Sequence, residues 1–216
     1  MNEWFLLGLG VLLTLGTGVF VASEFSMINL ERTDLESRSD KGEKGLAPSI
    51  RALKRTSTHL SSAQLGITLT TMLTGFLAEP SLALLLEPHL AWLKLSEKGL
   101  HATALTISLI IATVFSTLVG ELIPKKLALT LPLAVNKAVV RFQLLFSWIF
   151  GWLVWLLNTT GNAIVRSLGI EPKEELSSSR TADELSSLVQ RSASLGAMEQ
   201  RHADLISKTL ELSQLV

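Results

Sequence analysis

The chain contains no cysteine, which excludes disulfides, thiolate metal sites and a cysteine nucleophile together. An excess of charge of either sign is also missing. The 19 basic and 19 acidic side chains balance to a formal charge of +0, so the composition gives no support to nucleic-acid binding. Histidine is scarce, and His59, His89, His101 and His202 include no pair at helical ligand spacing. No His-Glu-x-x-His or paired-aspartate pattern occurs, and no histidine falls inside a predicted span, so an intramembrane enzyme has no nucleophile and base arranged for it. Met1 to Glu3 carry no Lys or Arg, so the first apolar run lacks the basic start of a cleaved signal peptide.

What the chain does have is apolar length. Of 216 residues, 48% are hydrophobic and 18% charged, and the mean hydropathy is +0.41. That is too apolar for an ordinary soluble domain and fits a small integral membrane protein. Three runs qualify as spans: Trp4 to about Leu30, with Glu24 as its only interior charge; about Leu60 to Leu86, containing Glu79-Pro80; and Ala102 to Ile123. At about 1.5 Å per residue each is long enough to cross roughly 30 Å of hydrocarbon. Between the first two lie Arg32, Arg38, Lys41, Lys44, Arg51, Lys54 and Arg55, whereas the next loop holds only Lys94 and Lys98. The basic loop is expected in the cytosol, which places the N-terminus outside and Lys125-Lys126 inside.

Phe142 to Leu157 is apolar and contains Trp148, Trp152 and Trp155, but basic residues flank it on both sides: Lys137 and Arg141 before, Arg166 after. Sixteen residues are short for a crossing. We read a Trp-rich helix or helical pair lying in the cytosolic interface, with a fourth crossing as the alternative. After Pro172 the chain turns polar and serine-rich. Thr181-Ala182-Asp183-Glu184 reads as a capping box opening a helix, and Met198, Leu205, Ile206 and Leu210 suggest a second one. The sequence thus predicts an all-α integral membrane protein with three transmembrane helices, juxtamembrane belt helices and a small cytosolic helical bundle. Its domains are the membrane domain with belt at 1–168, a linker at 169–180 and the bundle at 181–216.

Within the third span, Gly120-Glu121-Leu122-Ile123-Pro124-Lys125-Lys126 places a carboxylate and a proline at the end of an apolar run. Pro124 has no N–H, so a helical bond back to the Gly120 carbonyl cannot form. Polar oxygens at membrane depth are tolerated only against a partner, a wet cavity or an ion. Ser23 and Ser26 share one face of the first span beside Glu24, and Thr68, Thr70 and Thr71 lie in the second. Hydroxyls, a carbonyl and a carboxylate, with no sulfur or imidazole, form a hard-oxygen set suited to Mg²⁺, Ca²⁺ or Na⁺. Other readings stand beside this one. The hydroxyls can bond to their own helices, Glu121 can pair with Lys125, Glu24 can mark the boundary, and Glu79-Pro80 can simply kink a helix. Gly8, Gly10, Gly16 and Gly18 read as packing residues.

The Gly120 to Lys125 run, Ala22-Ser23-Glu24-Phe25-Ser26 and Gln64-Leu65-Gly66-Ile67-Thr68-Leu69, each on its own span and in this order, resemble the transmembrane domain of the CNNM/CorC magnesium transporters. The resemblance covers essentially the whole chain. It implies a homodimer in the lipid bilayer, Mg²⁺ export driven by inward Na⁺, and a tandem pair of regulatory CBS domains in the longer protein, which this sequence does not contain. It also implies an ion site made of Ser23, Ser26, Thr71, Gly120 and Glu121, with the Thr71 hydroxyl standing where many relatives carry an asparagine amide. A membrane-anchored scaffold or Mg²⁺ sensor without transport is the alternative function.

Overall fold

The structure is a computed structural model and describes residues 2–170 and 200–213, with the single positions 189 and 193. Among the described residues it is helical throughout. The elements are α1 (Glu3–Ile28), α2 (Arg32–Asp40), α3 (Ala47–Leu53), α4 (Thr56–Leu90), a 3₁₀ turn (Ala91–Leu93), α5 (Glu97–Phe115), a π-wound segment (Ser116–Leu122), α6 (Ile123–Thr130), α7 (Pro132–Ile149), α8 (Gly151–Ser167) and α9 (Gln200–Ser213). Residues Met1–Lys173 and Glu174–Val216 form two compact units. Of the second unit, α9 is the described helix. The expected capping box at Thr181 and most of the expected linker lie outside the described residues.

Among the described residues, three single helices are long and apolar enough to cross a membrane: Glu3–Ile28, Thr56–Leu93 and the continuous Glu97–Thr130. They coincide with the three predicted runs. Asn2 starts α1 by accepting a hydrogen bond from the Trp4 N–H, and Ser96 starts α5 by accepting one from Gly99, each satisfying a donor that the first helical turn leaves free. Pro80 and Pro88 lie inside α4 without ending it. Beyond the third helix, α7 and α8 meet at a 75° bend and together are apolar enough to form a broken fourth span, a geometry common to the expected helical pair and to the alternative of a fourth crossing.

The basic stretch between α1 and α4 is folded. Gly42 and Gly45, at φ of +93° and +83°, let the chain reverse between α2 and α3. Met27, Leu35, Leu46, Ala52, Leu53, Leu60 and Val140 then close into one buried apolar cluster, so α1, α2, α3, α4 and α7 share a core there. Glu43 fastens its edge. It accepts hydrogen bonds from Lys137 Nζ on α7 and from Arg38 Nε on α2, both at 2.8 Å. These two cations, Lys137 foremost, hold the Glu43 carboxyl below the ordinary carboxylate range.

α7 presents its polar side inward. Asn136, Val140, Gln143 and Ser147 follow one another at spacings of four, three and four, which places them on one helical face. Asn136 and Gln143 are fully buried, while Trp148 on the other side is 81% exposed. Gln143 Nε2 donates to the His59 carbonyl at 3.0 Å and to the Ser62 and Ser147 hydroxyls at 3.3 Å. Ser147 Oγ donates to Ser62 at 2.8 Å and lies 2.9 Å from His59 Nδ1. That inversion of the usual amphipathic pattern is what a helix lying in apolar surroundings requires.

Where α1 crosses α4 the backbones approach closely. A Cβ at Gly10 would stand 2.6 Å from Ala78 Cβ and 3.3 Å from its Cα, whereas one at Gly8 would meet nothing within 4 Å. Gly66 lies against the Phe20 ring, with ring atoms 2.5 Å from its absent Cβ, and Phe20 in turn packs on Phe142 and Phe146 with centroids 5.2 and 4.6 Å away. Gly10→Val should lower the melting temperature of the detergent-purified chain, by an overpacking cost of about 1–3 kcal/mol, and Gly8→Ala should leave it unchanged. The Glu43 clamp gives a second expectation. A depressed carboxyl contributes stability above its unfolded pKa and loses it as pH falls through the folded value. Wild-type thermal stability should therefore decline on acidification from about pH 5 to pH 3, and Glu43→Gln should be less stable at pH 6 and lose less between those pH values.

Candidate ion-binding site

Hydroxyls on the long helices mostly satisfy themselves. Thr14 donates to the Gly10 carbonyl, Thr17 to Leu13, Thr70 to Gly66, Thr74 to Thr70 and Ser81 to Leu77, at 2.7 to 3.1 Å. Each is the bond to the residue four back that a hydroxyl makes when water is absent. Thr17 and Thr70 also meet across the α1–α4 seam at 2.8 Å. The hydroxyl that α4 turns toward α1 is thus Thr70, and the neighbouring Thr71 is exposed on the surface of the chain.

Ser23 and Ser26 depart from that habit. Both are fully buried. Ser26 Oγ donates to the Ser23 carbonyl at 3.0 Å and accepts from Asn136 Nδ2 of α7 at 3.1 Å. Ser23 Oγ has no protein partner, and neither has Asn136 Oδ1. A buried oxygen without a partner costs about 1–3 kcal/mol, so two of them flanking one hydrogen-bonded serine is a costly arrangement for packing alone. Elsewhere on the long helices Ser108 Oγ is also buried and unpartnered. Glu24, next along α1, is half-buried and accepts from Gln64 Nε2 of α4 at 3.4 Å.

The third helix contributes a different feature. Ser116–Leu122 is wound as a π-helix, and the Ile123 N–H reaches back five residues to the Leu118 carbonyl. In that register the N–H missing at Pro124 is withdrawn from Val119 rather than from Gly120. The Val119 oxygen lies 3.1 Å from where a Cβ of Gly18 would stand, and the Pro124 ring 3.0 Å. Gly18 therefore makes room in α1 for the distorted turn. Gly120 is buried, and a Cβ added to it would stand 3.5 to 3.6 Å from atoms of Thr14 and Thr17 on α1. Glu121 is exposed and makes no ion pair with any described residue; Lys125 Nζ instead lies 4.4 Å above the Phe25 ring.

Of the residues singled out in the sequence, the structure brings Ser23 and Ser26 together and places Gly120 against α1, while Thr71 and Glu121 face outward on the single chain. Glu79 is half-buried, with Oε1 3.6 Å from the Cβ position of Gly75 on its own helix. Among the described residues, no group of three or more His, Asp or Glu gathers at metal-binding range. Asn136 and the π-winding were not singled out from the sequence. Asn136 carries a legible signal, since it opens the stripe continued by Gln143 and Ser147. The π-winding has a weaker one, in the proline that follows a glycine by four residues.

Comparison with known proteins agrees with this architecture. Residues 8–202 match the model of the family described as the cyclin M transmembrane N-terminal domain, CNNM. The UPF0053 protein MT1890 of Mycobacterium tuberculosis is 43% identical over 203 residues, which are 94% of this chain and 45% of that protein. The UPF0053 proteins YhdT and YrkA of Bacillus subtilis are 28% and 29% identical over 96% and 95% of this chain and 45% and 47% of their own lengths. The chain spans about half the length of these relatives. With a family match over most of its length and three membrane-length helices in the matched region, this chain is a membrane protein of the cyclin M transmembrane domain family.

Proposed function

We propose that the chain is the membrane part of a Mg²⁺ transporter, exporting Mg²⁺ in exchange for Na⁺ by alternating access. The observation that carries this reading is the unpartnered Ser23 hydroxyl, fully buried on a membrane-length helix beside Ser26. The family's link to Mg²⁺ transport supplies the cargo. Mg²⁺ and Na⁺ are hard cations that take oxygen ligands, and the candidate set offers only oxygen. Mg²⁺ releases its water reluctantly, so a largely neutral site would bind it with several waters retained.

Movement needs a joint. The π-wound turn at Ser116–Leu122 runs directly into Pro124, and a turn with an irregular hydrogen-bond register is where a helix bends most easily. In this reading α1 and its serines stay fixed on α4 while the third helix pivots at that joint. The basic stretch from Arg32 to Arg55 faces the cytosol, the N-terminus lies outside, and α7 and α8 form a belt in the inner leaflet. Thr71 and Glu121, exposed on one chain, become interior positions when a second copy pairs with the first. The working unit is then a homodimer, and CBS domains beyond the bundle regulate it.

The exposed Glu121 and the absence of an acidic cluster among the described residues favour a second reading, a membrane-anchored scaffold or Mg²⁺ sensor. Flux decides between them. The purified chain in liposomes loaded with a Mg²⁺-sensitive dye should move Mg²⁺, faster with an opposing Na⁺ gradient, and Glu121→Gln should abolish that flux without changing the oligomeric state. Wild-type rates in the variant remove Glu121 from the mechanism, and a silent wild-type chain leaves the scaffold reading.

A further inference from the structure

Helices that lie in the membrane interface are ordinarily read as belts, and α7 has been given no part in the ion site above. Its buried face argues otherwise. Asn136 is fully buried and crosses to α1 with one half of its amide, Nδ2 donating to Ser26 Oγ at 3.1 Å. The other half, Oδ1, has no partner. Oδ1 and Nδ2 belong to one amide, so the orphan oxygen lies within about 5.5 Å of Ser26 Oγ by bond geometry. The orphan Ser23 Oγ is three residues from Ser26 on the same helical face.

A cavity of about 700 Å³ lies near this seam, lined by Asn29, Asp34, Glu31, Thr130, Leu133 and Lys137 among others, while Ser23, Ser26 and Asn136 themselves stay buried behind it. Asn29 and Leu133 lie three residues from Ser26 and Asn136 respectively, and Lys137 follows Asn136 directly. Its wall carries the acids Glu31 and Asp34, the latter 3.7 Å from Arg38, and the cations Arg38 and Lys137. The opposing charges of Arg38 and Lys137 are both engaged by Glu43, which weakens their repulsion of an incoming cation.

We propose that Asn136 Oδ1 is a cation ligand, completing with Ser23 Oγ and Ser26 Oγ a neutral three-oxygen site at the seam of α1 and α7. The belt helix then belongs to the ion path, and a displacement of α7 changes the ligand set directly. The inference rests on the Mg²⁺ reading above and adds a residue to it.

The amide's two ends make the idea testable. A merely structural pin needs the Nδ2 donor to Ser26, whereas a ligand needs the Oδ1 oxygen. Asn136→Asp keeps the oxygen and loses the donor; Asn136→Leu keeps the volume and loses both. Mg²⁺ alone is titrated calorimetrically into the detergent-purified chain. Asn136→Leu should bind Mg²⁺ about tenfold or more weakly, and Asn136→Asp should bind at least as tightly as wild type. Gln143→Leu, which removes an equally buried α7 amide whose Oε1 is also unpartnered but which bonds His59, Ser62 and Ser147 rather than Ser26, should lower the melting temperature and leave Mg²⁺ affinity unchanged. If Asn136→Leu binds like wild type, or Gln143→Leu weakens binding equally, Asn136 is not a ligand and the transport reading stands. Should Asn136→Leu fail to assemble, Asn136→Asp decides: retained affinity supports the ligand role, lost affinity overturns it. A wild-type chain that binds no Mg²⁺ removes both this inference and the oxygen-site basis of the transport reading.

Discussion

The constraint on which this structure depends is the lack of water around most of its helices. A polar atom on an apolar helix has three outlets: its own backbone, a neighbouring helix or a ligand. Thr14, Thr70, Thr74 and Ser81 take the first outlet. The inward stripe of α7 takes the second, with Gln143 and Ser147 joined to His59 and Ser62 on α4. Ser23 Oγ and Asn136 Oδ1 take neither, nor do Ser49 Oγ, Ser108 Oγ and Gln143 Oε1; what sets the first two apart is that both adjoin Ser26, the one along α1 and the other through its amide bond.

The same constraint explains the glycines. Association inside a bilayer gains little from the hydrophobic effect and depends on close packing, so α1 must come near both α4 and the third helix. Gly10 admits Ala78, Gly66 admits the Phe20 ring, and Gly18 admits the Val119 carbonyl and the Pro124 ring. The last contact has an added meaning. A carbonyl deprived of its helical donor can sit in an apolar layer only where something covers it, and a glycine Cα is small enough to do so and offers a weak C–H donor.

The three long helices were legible in the sequence because span length and the placement of charge are properties of the chain alone, and the bent pair α7 and α8 was legible from its short apolar run between basic flanks. The folded nature of Arg32 to Leu53 was not, since those residues read as a basic loop whose buried Leu35, Leu46 and Leu53 are too sparse to show a period. For the candidate site, Ser23, Ser26 and Gly120 were singled out from motif and spacing, and the structure buries all three. Thr70 and Thr71 were indistinguishable without knowing the rotation of α4, which nothing in a run of three consecutive polar-apolar exchanges determines. Asn136 was not singled out because attention to a Trp-rich helix falls on its tryptophans, of which Trp148 is exposed on the side facing away from the other helices. In a helix of this kind the informative residues are the few polar ones at spacings of three and four.

That inversion bears on how the belt and the spans act together. A belt helix held to the bundle only by apolar contacts could slide, because such contacts have no preferred register. The bonds from Asn136 to Ser26 and from Gln143 to His59 and Ser62 give α7 one register on α1 and α4. Glu43 adds a third point outside the apolar layer, binding Lys137, the residue next to Asn136. Because Asn136 and Lys137 are adjacent, the Ser26 and Glu43 bonds fasten neighbouring positions of α7, one to the buried serine of α1 and the other to the folded basic segment.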